Sequence, residues 1–217
     1  IRNDKRDWAD RRLLEEMCAA EPYGVSRWGD EQSAAKINNQ KLYQYSQRLL
    51  AESRLELFYC GSGERRRVED ALLEAFAALP RGVPAELSAP ERPAAPSEPR
   101  FVTETMDVTQ GKLAMGFRCA TDDIPAMILA NLLFGGTSNS KLFMNVREKL
   151  SLCYYASSLY ARSKGILTVS SGIETKAYDR ALAEILHQLE AVQRGEWEDW
   201  ELAAARSAMR ASLQSLG

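Results

Sequence analysis

Residues 134–154 read FGGTSNSKLFMNVREKLSLCY. The stretch divides into three parts. Phe134-Gly135-Gly136-Thr137-Ser138-Asn139 is a glycine loop, where two adjacent glycines let backbone turn closely. Ser140 can cap a following helix, in which Leu142, Val146 and Leu150 fall four apart on one face. Leu152 then opens an apolar run with strand character. Working outward, a helix is expected from about Asp123 to Leu133. Before it, Phe101–Met106 and Leu113–Cys119 read as strands flanking a turn at Gln110-Gly111. After it, Leu152–Ala161 and Ile166–Ile173 read as strands joined through Lys164-Gly165. A helix from about Lys176 to Arg194 ends at Gly195. Glu196, Glu198 and Asp199 place acid at the start of a last helix, where it suits the dipole. Leu202, Ala205, Met209, Leu213 and Leu216 line that helix. This order predicts an α+β fold: a mixed, largely antiparallel sheet covered by helices on one face.

Six of the eight prolines lie between Pro80 and Pro99. Such a stretch lacks backbone donors and reads as a semi-rigid linker over 80–99. It separates residues 1–79 from residues 100–217. The first part is mostly helical. Asp4 can cap a helix to about Ala20, striped by Ala9, Leu13, Met17 and Ala20. A short helix is expected near Asp30, and one capped by Asn39 carries Leu42, Tyr45 and Leu49. Arg54–Cys60 alternates and reads as a strand. Val68, Leu72 and Phe76 mark a further helix. One strand cannot form a sheet, so residues 1–79 resemble the end of a domain whose beginning lies elsewhere. A start at Ile1, without an initiator Met, reads as a piece of a longer or processed protein.

Composition narrows the function. Apolar residues make up 45% of the 217 and charged residues 27%, ordinary for a folded chain. The formal charge is -2, which argues against a nucleic-acid or membrane-surface binder. There is one histidine, His187, and the four cysteines (Cys18, Cys60, Cys119, Cys153) fit no metal spacing. They read as reduced, buried thiols of a cytoplasmic protein. No metal ligands and no catalytic residues are expected in this chain.

Other candidates have plain readings. The glycine loop fails as a phosphate loop, because Ser140 precedes Lys141 and Leu142 follows it. His187 is expected at the helix edge or in solvent. Glu15-Glu16 and Asp122-Asp123 read as solvated or capping carboxylates, and Trp197 and Trp200 as packing residues. Arg147 and Tyr154 differ. Seven residues apart across a helix-to-strand turn, they can bring a guanidinium and a phenol to one sheet edge, donors suited to a carbonyl or developing oxyanion. On spacing alone, Arg147 equally suits a carboxylate partner and Tyr154 simple packing.

Phe134-Gly-Gly-Thr-Ser-Asn-Ser-Lys-Leu-Phe143 followed by Val146-Arg147-Glu148-Lys-Leu-Ser-Leu-Cys-Tyr154 resembles a segment of the insulinase/pitrilysin-type (inverzincin) zinc metallopeptidases. Mitochondrial processing peptidases share it. Arg12, Glu16, Glu21-Pro22-Tyr23-Gly24, Gly29 and Leu42-Tyr43 add weaker support, and the paired bacterial YfmF-like branch fits best. The resemblance implies two related α/β halves closing around a peptide or unfolded polypeptide. One half carries H-x-x-E-H and zinc. The other supplies no metal but contributes an Arg and a Tyr, here Arg147 and Tyr154, and a glycine loop, here Gly135 and Gly136, that admits or positions substrate.

With one His, this chain contains no H-x-x-E-H. The resemblance therefore implies the end of a first half over 1–79 and most of a second, non-catalytic half over 100–217. Zinc is expected in a partner half or subunit bearing H-x-x-E-H. A homodimer of the fragment and a bacterial cytoplasmic location are further expectations. Two alternatives stay open: an interaction scaffold of the same fold without peptidase role, and a single-chain peptidase whose metal half lies upstream.

Overall fold

A computed structural model describes residues 4–86 and 92–215. In chain order the helices are α1 (Lys5–Met17), α2 (Glu31–Ala35), α3 (Asn39–Glu52) and α4 (Arg65–Ala77). Strand β1 (Gly111–Arg118) and helix α5 (Ile124–Asn131) follow. Next come two π-helical stretches, π1 (Leu132–Gly136) and π2 (Leu142–Lys149). Strands β2 (Cys153–Ala161) and β3 (Ile166–Ile173) and helices α6 (Tyr178–Gln193) and α7 (Asp199–Gln214) complete the order. Leu216, expected on the last helix, lies outside the described residues.

The chain packs as two units, one of residues 1–26 with 90–217, the other of residues 27–89. Packing therefore divides the chain elsewhere than the proline-rich stretch does. Residues 1–26 go with the later residues because α1 lies on the sheet.

In the larger unit the sheet is antiparallel with strand order β1-β3-β2. The α+β class expected from sequence is the observed one. β3 is central and six of its eight residues are buried, as a strand covered on both faces requires. Side chains of one face join the core. Phe134, Leu142, Val146, Leu152, Val169 and Ile185 are among its buried members, with Leu113, Met115 and Phe117 of β1 packed against them.

The opposite face carries α1, which the sequence reading did not place. Asp4 caps this helix by accepting from Arg6 N (2.9 Å) and Asp7 N (3.1 Å), and these two bonds hold the Asp4 carboxyl below its ordinary pKa. Leu13 and Met17 then reach Gly116 of β1, where a Cβ would stand 2.5 Å from Met17 Sδ. Arg6 lies over the Tyr155 ring at 4.4 Å, and that ring in turn covers Gly172. Beside them Arg118 donates to Glu21 and to the Met17 carbonyl. Arg118 and Glu21 are nearly buried, with side chains 10% and 7% exposed. A buried pair of this kind fixes orientation more than it adds net stability.

Two expected strands are absent. Neither Arg54–Cys60 nor Phe101–Met106 joins a ladder among the described residues. Alternation alone does not make a strand; a neighbouring backbone must accept and donate the bonds. Other sequence expectations meet small corrections. Asn38, not Asn39, caps α3, accepting from Lys41 N at 2.9 Å. Cys60 is exposed rather than buried, whereas burial raises the thiol pKa of Cys18, Cys119 and Cys153. His187 is exposed, as expected. Asp123 caps α5 through Ala126 N (3.0 Å), and Asp122 pairs with Arg92 at 2.6 Å.

Candidate functional site

The stretch that carries the motif is wound more loosely than the expected α-helix. In a π-helix each N–H reaches five residues back, and such turns concentrate at functional sites. Leu150 N, at the end of π2, donates to Asn145 O at 3.0 Å in this way. The wider winding changes which side chains share a face. Leu142 and Val146 are buried as the stripe predicts, but Leu150 is exposed. Ser140 contributes little as a cap: its Oγ lies 3.5 Å from Phe143 N and donates instead to Thr137 O at 2.6 Å.

The two glycines close π1 rather than form an open loop. Gly135 is buried, and a Cβ there would meet Ser158 N, Ser158 Oγ and Leu142 Cδ1, each at 2.7 Å. Gly136 is exposed, with its would-be Cβ 2.9 Å from Asn131 Nδ2. Ser158 Oγ donates to Asn131 Oδ1 at 2.7 Å, which ties the end of α5 to β2. The glycines thus let the helix backbone sit directly on the strand.

From π2 the chain turns sharply into β2. Ser151 N donates to Arg147 O (3.1 Å) and Leu152 N to Val146 O (2.9 Å). Ser151 has φ 50°, a left-handed conformation unusual for a residue with a side chain. Residues held this way cost on the order of 1–3 kcal/mol and cluster at functional sites. The turn places the Arg147 carbonyl beside the start of β2.

Tyr154 is the extra residue of a β-bulge. Cys153 pairs with Ile173 and Tyr155 with Gly172, so Tyr154 has no partner across the ladder. A bulge re-aims the side chain it inserts. Cys153 and Ala156 are buried on the core side, while Tyr154 is half exposed. The phenol lies within electrostatic reach of Lys176, whose pKa is raised chiefly by its hydrogen bond to Glu174 and further by Tyr154. The Arg147 guanidinium sits over the Phe143 ring at 4.6 Å and 3.5 Å from Glu148. It is 40% exposed, so neither contact is strong. Arg147 also acts on Cys153: burial raises that thiol's pKa, and the nearby positive charge opposes the rise.

Phe143 beside Arg147 and Lys176 near Tyr154 are neighbours that the sequence reading did not name as site residues. Phe143 stood inside the motif; nothing in the sequence marked Lys176. On the far side of π2, Lys141 bonds Glu201 at 3.1 Å with both side chains buried. Lys141, Met144, Glu148, Lys149, Trp200 and other residues line an open cleft of about 620 Å³ there. Trp200, expected as a packing residue, is half exposed in that cleft. Among the described residues no three His, Cys, Asp or Glu side chains group as a metal site. No described helix is long and apolar enough to cross a membrane.

The fold and the sequence match known proteins. A family model described as "Peptidase M16 inactive domain" matches residues 36–209. A relative from Bacillus subtilis (strain 168), named "Probable inactive metalloprotease YmfF", is 35% identical over 216 residues, covering 97% of this chain and 50% of its own length. Another from that organism, "Uncharacterized zinc protease YmxG", is 24% identical over 190 residues, 85% of this chain and 45% of its own. A conserved protein from Enterococcus faecalis V583 superposes with a TM-score of 0.86 at 26% identity, covering 97% of this chain and 50% of that one. A peptidase M16 inactive domain from Pseudomonas fluorescens gives 0.70 at 20% identity, covering 95% and 51%. The chain spans about half the length of the relatives it matches. With the motif, the fold and a 35% identical relative in agreement, the chain belongs to the peptidase M16 family as an inactive-domain member.

Proposed function

We propose that this chain is the non-catalytic side of a peptide-binding chamber whose zinc is held by another half or subunit. Residues 1–79 are then the end of a first peptidase-like half and residues 100–217 most of a second. The donor set here does not suit zinc: the chain has one histidine, and the described residues offer no three-ligand cluster. Arg147 and Tyr154 bind the peptide backbone near the scissile carbonyl, as guanidinium and phenol donors. Gly135 and Gly136, where π1 ends, help to admit or position the substrate.

The observation that carries this reading is the bulge at Tyr154, directly after the strained turn that starts at Arg147. A polar residue taken out of register at a sheet edge serves packing poorly, and it is available to a ligand. The test is Arg147→Ala in the complex with its zinc-bearing partner. Turnover falls about 100- to 1,000-fold, the scale for losing one preorganised donor, while zinc content is unchanged. Unchanged turnover overturns the assignment. Unchanged turnover with altered subunit assembly moves the chain to a scaffold role.

A further inference from the structure

The open cleft between π2 and the start of α7 involves neither Arg147 nor Tyr154 as a donor. Lys141 at the head of π2, Asn145 and Lys149 fall four apart, about one helical turn, so one side of this helix lines it. Trp200, in the first turn of α7, is half exposed on the other side.

Each carboxylate of the cleft has a positive partner. Glu201 accepts from Lys141 Nζ at 3.1 Å and from Glu198 N at 2.8 Å. Glu148 faces the Arg147 guanidinium at 3.5 Å. Glu198 stands at the cap of α7, where its charge suits the dipole. The donors are less well served. An ammonium carries three N–H groups, and Lys141, only 7% exposed, gives one of them to Glu201. Lys149 and the Trp200 indole N–H have no partner among the described residues. A buried donor without an acceptor carries a desolvation cost that a ligand oxygen removes.

The missing complement is therefore an acceptor with negative charge. Beside it, the Trp200 ring and the Met144 thioether offer an apolar wall. A carboxylate on an apolar body supplies both. A doubly charged phosphate suits the cleft less, because Glu148 and Glu198 repel the second charge.

We propose that the cleft between π2 and α7 binds a carboxylate carried on an aromatic or apolar body. Its oxygens accept from Lys141 and Lys149, and its body lies against Trp200 and Met144. The proposal is independent of the roles of Arg147 and Tyr154.

The test is titration of sodium phenylacetate at constant ionic strength, read by NMR on the backbone amides of residues 198–201. It is made on the 217-residue chain and on the polypeptide of the complete natural reading frame that contains it. In both, the amides shift saturably with a Kd of about 1 mM, the scale for a ligand of about ten heavy atoms. Phenylacetamide, which keeps the shape and loses the charge, binds about tenfold more weakly. Trp200→Ala weakens phenylacetate about tenfold and Lys149→Ala about threefold. Both residues are exposed, so the melting temperature stays at the parent value. A free acid and a peptide C-terminus share this chemistry, and an acetylated tripeptide ending in phenylalanine separates them. Binding about tenfold tighter than phenylacetate assigns peptide ends, and equal or weaker binding assigns small acids. No saturable shift up to about 20 mM overturns the proposal. So does equal binding of phenylacetamide, tighter binding of phenethylamine, or an unaltered Kd in Trp200→Ala. Binding to the 217-residue chain alone overturns it too, because the cleft is then covered in the complete protein.

Discussion

Cys153 and Ala156 lie three residues apart on β2, yet both face the core. Regular alternation would put them on opposite faces. The bulge at Tyr154 reconciles them by adding one residue between Cys153 and Tyr155. It turns Tyr154 out of the ladder without disturbing the apolar register of the rest of the strand. Ser158 and Tyr160 therefore continue on the core side.

Deleting Tyr154 is expected to restore plain alternation, with Cys153, then Tyr155 outward, then Ala156 inward. The domain should keep its fold, losing no more than about 2 kcal/mol, since the core register survives. Peptide turnover by the partnered enzyme should nevertheless fall at least tenfold. Thermal melting and turnover measured on one preparation decide it. Loss of folding would show that the bulge is required by the sheet itself.

Gly135→Ala should destabilise the larger unit by about 1–3 kcal/mol, the usual cost of overpacking. The new Cβ would stand 2.7 Å from the Ser158 backbone nitrogen, which cannot swing aside. Gly116→Ala should cost less, because the nearest atom is the flexible Met17 Sδ at 2.5 Å. Urea denaturation of both variants gives the comparison, and equal losses would contradict it.

Lys141→Met leaves Glu201 buried without its cation and should cost about 3–5 kcal/mol. Lys141→Met with Glu201→Gln should recover much of that loss. The amide keeps an oxygen for Glu198 N, which the Glu201 carboxylate now accepts at 2.8 Å. A double-mutant cycle by chemical denaturation reads the coupling, and additive losses would exclude it.

Asp10 on α1 has its carboxyl pKa raised by burial, against an opposing hydrogen bond from Ser170. A raised pKa in the folded state favours folding with the proton on. That contribution is fully present below the ordinary value of 3.8 and lost as pH rises through the higher folded value. Asp10→Asn should therefore gain stability relative to the parent at pH 7 and gain less, or nothing, at pH 3. Melting temperatures of both proteins at the two pH values provide the check. The same difference at both would mean that Asp10 does not titrate this way.

Much of the larger unit was legible because its signals are local. Ile166–Ile173 is the strand that its apolar run predicts, and Glu198 begins α7 with a capping box to Glu201. A helix-to-strand turn between Arg147 and Tyr154 was legible from the end of the apolar stripe and the start of the strand run. What escaped was whatever depends on a distant backbone. Tyr154 reads as an ordinary strand residue until its partners Ile173 and Gly172 are known. Leu150 completes a stripe at four-residue spacing until the helix is seen to wind by five.

By itself the sequence determined the family, the α+β class and most helix positions, since caps, periodicity and a dense motif act over a few residues. Only the tertiary structure decided that α1 covers the second face of the sheet, that Tyr154 stands in a bulge, and that Arg54–Cys60 has no ladder among the described residues. The physical reason is the same each time. A strand is made by its neighbour and a buried face by what covers it, and neither partner is encoded within reach of the residues concerned.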